Sequence, residues 1–314
     1  MSIARLTACR VLWYCRVGNA NTYAPLENGF RVVAPSTRAL LTQWNWEPSV
    51  LLGIVVLIVT YLYAVGPLWR RRNAGSPVAR KQVTYFVLSV ATLVVALLSP
   101  VDEIGDRYLF SVHMVQHLLL AAVWPPLLLL ALPAWLVRPV FQRQLPAELA
   151  RFFTYPFVAF VLFNVDIYAW HVPYLYDLTL SSESIHIAEH VSFMLFGLLN
   201  WWPVLSPLRE QRLAYPLQVL YLFVNGMFMM VLGILFTFSP TVFYAPYEAA
   251  PRLWGLSAGT DQQLGGLIMW YPGNIPYGVL LIAAFYRWFD DADPGRAEKQ
   301  SMPAQSPTIE SPLP

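Results

Sequence analysis

The chain has 314 residues, 57% of them hydrophobic and only 12% charged, with a mean hydropathy of +0.49. Soluble domains carry about 25% charged residues, so an ordinary soluble class is excluded, and a net charge of +2 gives no footprint for nucleic acid. Apolar runs long enough to cross a bilayer recur, which predicts an all-α fold, a polytopic bundle of seven transmembrane helices in a lipid bilayer.

Residues 1–43 come first. They carry Arg5, Arg10, Arg16, Arg31 and Arg38, and the apolar stretch 11–14 is too short for the core of a signal peptide. Cys9 and Cys15 lie here, at a spacing that matches no CxxC pattern. No methionine occurs between Met1 and Met114. The tail is therefore read as disordered, or as the result of a start assigned too early, with the natural start near Trp44.

The transmembrane domain is expected over residues 44–289. Its first two spans are drawn at 49–69 and 83–98, the second extended into the interface by Gln82, Ser99 and Pro100. The third, 109–130, opens with His113 and His117, with Met114 between them. The fourth, 153–170, carries Asp166 and ends against His171. The fifth, 185–205, opens with His186, Glu189 and His190. The sixth and seventh are 215–238 and 264–286, the last preceded by Asp261. Residues 290–314, rich in Pro, Ser and acidic residues, read as a disordered cytoplasmic tail.

Lys and Arg placement sets the orientation. Arg70, Arg71, Arg72, Arg80, Lys81, Arg138, Arg143, Arg151, Arg209 and Arg212 fall in loops on one side. The other side holds only Arg107 and Arg252, among Asp102, Glu103, Asp106, Asp177, Glu183, Glu248 and Asp261. The N-terminus is expected outside and the C-terminus in the cytoplasm. All five histidines then fall near the outer face.

His113 with His117, and His186 with His190, are i, i+4 pairs, each on one face of its helix. Neutral imidazole is a common metal ligand, and such pairs can present two nitrogens to one ion. Interhelical hydrogen bonding is the alternative role for each. Asp166, just over a turn before His171, is the preferred carboxylate to orient a ligating imidazole; a structural interhelical bond is its alternative. Glu189 points roughly 100° away from His190 around the helix and is expected to serve a different contact. Asp261 is expected to cap its own helix, or else to face the site. Met114 is a possible thioether donor, though methionine more often packs. No P-loop, GxSxG or HExxH occurs, so no enzyme is expected.

Four segments carry a resemblance. His113, Met114, His117, Leu119 and Leu120 fit an H-M-x-x-H-x-L-L pattern, and Trp170, His171, Pro173, Tyr176 and Asp177 fit W-H-x-P-x-x-Y-D. His186, Glu189, His190, Phe193, Trp201 and Trp202 follow H-x-x-E-H…F…W-W, and Asp261, Gly265, Gly266, Met269 and Trp270 follow D-x-x-x-G-G-x-x-M-W. In this order, over roughly residues 44–287, they resemble the multi-span CtaG-type cytochrome c oxidase assembly factors. The resemblance implies a factor of the bacterial plasma membrane that meets cytochrome c oxidase subunits and other copper chaperones. It also implies copper as the metal, and the two i, i+4 pairs are then expected to share it through His113, His117, His186 and His190, with His171 at the rim as a fifth or exchange ligand. Two alternatives stay open: a bis-histidine haem electron-transfer protein, and a metal-ion transporter using Asn200 and Asn225 deeper in the bundle.

Overall fold

The computed structural model describes residues 25–26, 29–30, 35–72 and 77–292. The rest of the two expected tails, with Cys9 and Cys15, lies outside the described residues. A two-residue antiparallel ladder joins β1 (Pro25–Leu26) to β2 (Gly29–Phe30). All other regular structure among the described residues is helical. Helix α1 (Thr37–Leu41), within the expected tail, is capped by Ser36 and docked: Leu40 is fully buried against Ile104, Leu109 and Leu253.

Proline and serine punctuate the longer helices. Helix α2 (Pro48–Arg72) starts on Pro48, whose fixed φ suits a first helical position, and widens into a π turn over Ala64–Leu68 around Pro67. After α3 (Arg80–Leu97), the Ser99 hydroxyl accepts from Val101 N–H and Pro100 opens α4 (Pro100–Arg107). Helix α5 (Phe110–Ala131) relaxes into a π turn at Leu119–Val123 just before Pro125 and Pro126. Helices α6 (Gln144–Phe153) and α7 (Pro156–Trp170) meet at a 61° bend. Then come α8 (Pro173–Ser181), α9 (Glu183–Leu205), α10 (Tyr215–Phe238), α11 (Ala245–Ala249) and α12 (Ala258–Ala292).

Among the described residues five helices, α2, α3, α5, α10 and α12, are long and apolar enough to cross a membrane, and six if α6 and α7 form one span. The sequence predicts seven. Helix α7 alone has 15 residues, short of the ~20 a crossing needs. Helix α9 has 23, but Glu183, His186, Glu189, His190 and Asn200 dilute its apolarity. The residues that make the fifth segment interesting are thus the ones that weaken its signature as a span.

Polarity runs inside out, as lipid requires. Leu52, Val59, Phe223 and Leu235 lie exposed on α2 and α10, whereas Gln116, Glu189 and Asn200 are fully buried. Helices α10 and α12 pack through glycine: a Cβ added at Gly233 would lie 2.7 Å from Gly266 O and 2.9 Å from Trp270 N. Small residues permit this close backbone approach. Gly233→Ala is expected to cost about 1–3 kcal/mol, the scale of overpacking. Unfolding in detergent micelles checks it, and an unchanged midpoint would refute the tight contact.

Candidate metal centre

The first turn of α5 lacks a side-chain cap of its own. Asp261 of α12 supplies one across the bundle, accepting from Phe110 N–H at 2.7 Å, Ser111 N–H at 3.1 Å and the Ser111 hydroxyl at 2.5 Å. A carboxylate is well placed at a helix N-terminus, where unpaired amides concentrate. The anchored helix presents His113 and His117 on one face, ring centroids 4.2 Å apart. On α9, the rings of His186 and His190 lie 4.1 Å apart, tilted by 57°.

Across the two helices His113 lies 5.5 Å from His186 and 6.2 Å from His190, and His117 lies 5.6 Å from His190. His171, the C-cap of α7, joins at 6.0 Å from His117. One ligand atom each from His113, His117, Glu189 and His190 lies within 4.8 Å of all the others, and all four residues are buried. Asp106, His113 and His186 form a second such group, sharing His113.

Hydrogen bonds orient two of the rings. His171 Nδ1 lies 2.7 Å from Ile167 O; a carbonyl only accepts, so the proton sits on Nδ1 and Nε2 keeps its lone pair. Tyr247 donates to Gly105 O at 2.8 Å, which leaves its oxygen to accept from His113 Nδ1 at 2.9 Å. Burial raises the Tyr247 phenol well above its ordinary range, so it stays a neutral donor. The Nε2 atoms of all five histidines are buried without a hydrogen-bond partner, as is His117 Nδ1. Buried polar atoms are rarely left so. Three of them lie in the group around Glu189, an arrangement that fits a bound cation.

The five histidines lie near one another, but His186 pairs with Asp106 rather than joining the tightest group. Glu189, expected to point elsewhere, enters that group, with Oε1 3.7 Å from His117 Nε2. Its side chain is long enough to bridge to α5 despite the rotation from His190. Asp166 has no histidine nitrogen within 4 Å; it accepts from Trp170 Nε1 at 3.0 Å and the Ser192 hydroxyl at 3.1 Å. The indole one turn away on its own helix takes the carboxylate before His171 can. Asp261 caps α5 rather than its own helix. Met114 is buried among Phe110, Tyr176 and Phe236, and a Cβ at Gly265 would meet its Cγ at 3.3 Å; it is packing.

Three contributors went unread in the sequence. Tyr247 and Tyr176, with hydroxyls 3.2 Å apart, sit over the histidines, and Asp106 Oδ2 lies 3.5 Å from His186 Nδ1. Gly105 is the local signal for Asp106: an added Cβ there would lie 3.0 Å from His113 Cα, so glycine lets α4 lie against α5. Burial, with Glu103 adding and Arg107 opposing, pushes the Asp106 carboxyl up to about 8. Water reaching its 27% exposed side chain tempers that rise. Gln116 ties the support together, donating to Ala96 O at 2.9 Å and to Asp102 Oδ1 at 2.7 Å.

The donors are imidazoles and carboxylates, without sulfur. That set suits divalent transition ions, and among these copper(II) binds most tightly by the general order of affinities.

The family described as cytochrome c oxidase caa3 assembly factor (Caa3_CtaG) matches residues 59–291. Uncharacterized proteins of Mycobacterium bovis and Mycobacterium tuberculosis are each 30% identical over 278 residues, covering 83% of this chain and 42% of the relative. One of Mycobacterium leprae is 25% identical over 271 residues, covering 81% of this chain and 40% of the relative. The chain thus spans less than half the length of these curated relatives. No solved structure matches.

Proposed function

The chain belongs to the cytochrome c oxidase caa3 assembly factor family, and on that footing we propose that it helps assemble a haem–copper oxidase in the bacterial plasma membrane by holding copper for delivery. The observation that carries this reading is the buried group of His113, His117 and His190 around Glu189, in which all three imidazole Nε2 atoms lack a hydrogen-bond partner. His113, His117, Glu189 and His190 would hold the ion, with His186 and His171 at its edges. Copper is the cargo here, and the protein's part is to bind it, shield it from water and release it to oxidase subunits or other chaperones. The segment ends that carry the histidines are the ends poor in Lys and Arg, which supports seven crossings with this face outside.

A haem would need a flat slot between its two axial imidazoles. One imidazole from each of α5 and α9 would serve it and leave the i, i+4 partners, 4.1 to 4.2 Å away, unused, whereas a single ion can take both members of a pair. Metal analysis tests the proposal. Purified protein should retain stoichiometric copper, and a variant with all five histidines replaced by alanine none. A strain lacking the protein should lose oxidase activity and regain it only with the wild-type chain. Equal copper in both proteins would end this reading.

A further inference from the structure

Burial is graded across the histidine cluster. The side chains of Asp106 and His186 keep 27% and 15% of their surface open, whereas those of His117 and Glu189 keep 5% and none. His113, itself fully buried, belongs to both ligand groups; with its Nδ1 proton given to Tyr247, Nε2 is the nitrogen left for an ion. The unpartnered buried atoms also fall in both: Asp106 Oδ1 and His186 Nε2 in the open group, His117 Nε2, Glu189 Oε1 and His190 Nε2 in the closed one. A single Nε2 lone pair serves one cation at a time, and two cations this close would repel each other strongly away from water. The two groups are therefore better suited to alternative positions of one ion than to simultaneous occupancy.

We infer that the cluster is a two-station relay: Asp106, His186 and His113 receive a divalent transition-metal ion at the solvent edge, and His113, His117, Glu189 and His190 hold it inside. The inference rests on the metal-binding reading above and adds Asp106 as a ligand. The outer set offers one carboxylate and two imidazoles, on side chains that are partly open at Asp106 and His186. The inner set offers three imidazoles and a carboxylate in a buried site, so the ion is held more fully as it moves inward. His113 stays attached during the move, which spares the ion full rehydration between stations. Gly105 keeps Asp106 within reach by letting α4 lie against α5.

Uptake of copper(II) by metal-free purified protein, followed in time by its absorption and electron paramagnetic resonance, tests the relay. Asp106→Asn and His186→Gln should take copper up roughly tenfold more slowly than wild type, the lower end of what losing a group at a metal site costs, and should lose less of it on a desalting column than a variant of the inner set. Glu189→Gln should instead take copper up quickly and fail to retain it on a desalting column. Thermal unfolding of the metal-free variants identifies any that misfold, and the two outer substitutions back each other up. Wild-type uptake rates in both outer variants would overturn the relay, as would loss of final copper as complete as in Glu189→Gln, which would mean one undivided site. Wild-type protein that takes up no copper would overturn the metal-binding reading itself, and the relay with it.

Discussion

His117→Leu is expected to leave the metal-free protein as stable as wild type, or more stable by about 1 kcal/mol, while removing most of its copper. Both ring nitrogens of His117 are buried without a hydrogen-bond partner, so the folded metal-free state carries their desolvation cost with nothing in return. Leucine is of similar bulk and packs against Phe193, whose ring lies 4.8 Å from the imidazole. At 3.7 Å the Glu189 carboxylate makes no hydrogen bond to His117, so little is lost there. An ordinary buried side chain behaves in the opposite way: truncating Phe193 should cost about 3–5 kcal/mol. Unfolding in detergent with a chelator present, paired with metal analysis, separates the two behaviours. A metal-free His117→Leu protein weakened by about 2 kcal/mol or more would make the histidine structural, as would undiminished copper in the variant.

Local pattern carried much of this architecture, and what it missed is non-local. The i, i+4 spacing of His113 with His117 and of His186 with His190 was enough to anticipate two imidazole pairs, each on one face of its helix, because a helix fixes that geometry by itself. The apolar runs located the long helices to within a few residues. The 61° bend between α6 and α7 and the polar load of α9 disturbed the count of crossings, since each depends on how neighbours cover a short or polar helix. The same holds for carboxylates. Asp166 lost its expected role to Trp170, a competitor on its own helix, while Glu189 gained one through a neighbouring helix. Tyr247 reaches His113 across 134 residues of sequence, a pairing that no helical periodicity encodes.

Asp261 makes that point most sharply, and Asp261→Ala should be costly at a distance from the histidines. The carboxylate is the acceptor for two backbone amides and one hydroxyl at the start of α5, and the residue is 1% exposed. Its loss leaves those donors buried and unpaired. The expected cost is about 2 kcal/mol, combining a lost helix cap with unsatisfied amides. Asp261→Asn should recover part of this at most, because its amide turns one acceptor into a donor facing other donors. The first turn of α5 should then fray, and His113 lies in that turn while His190 does not. Copper affinity is expected to fall by roughly 10- to 100-fold, the usual effect of losing a group that positions a ligand. Gly233→Ala, destabilising by a similar amount elsewhere, should lower affinity far less. Hydrogen exchange at residues 110–113, read beside copper titration of both variants, distinguishes local fraying from general weakening. If Asp261→Ala keeps those amides protected and its affinity matches that of Gly233→Ala, the cap does not position the site.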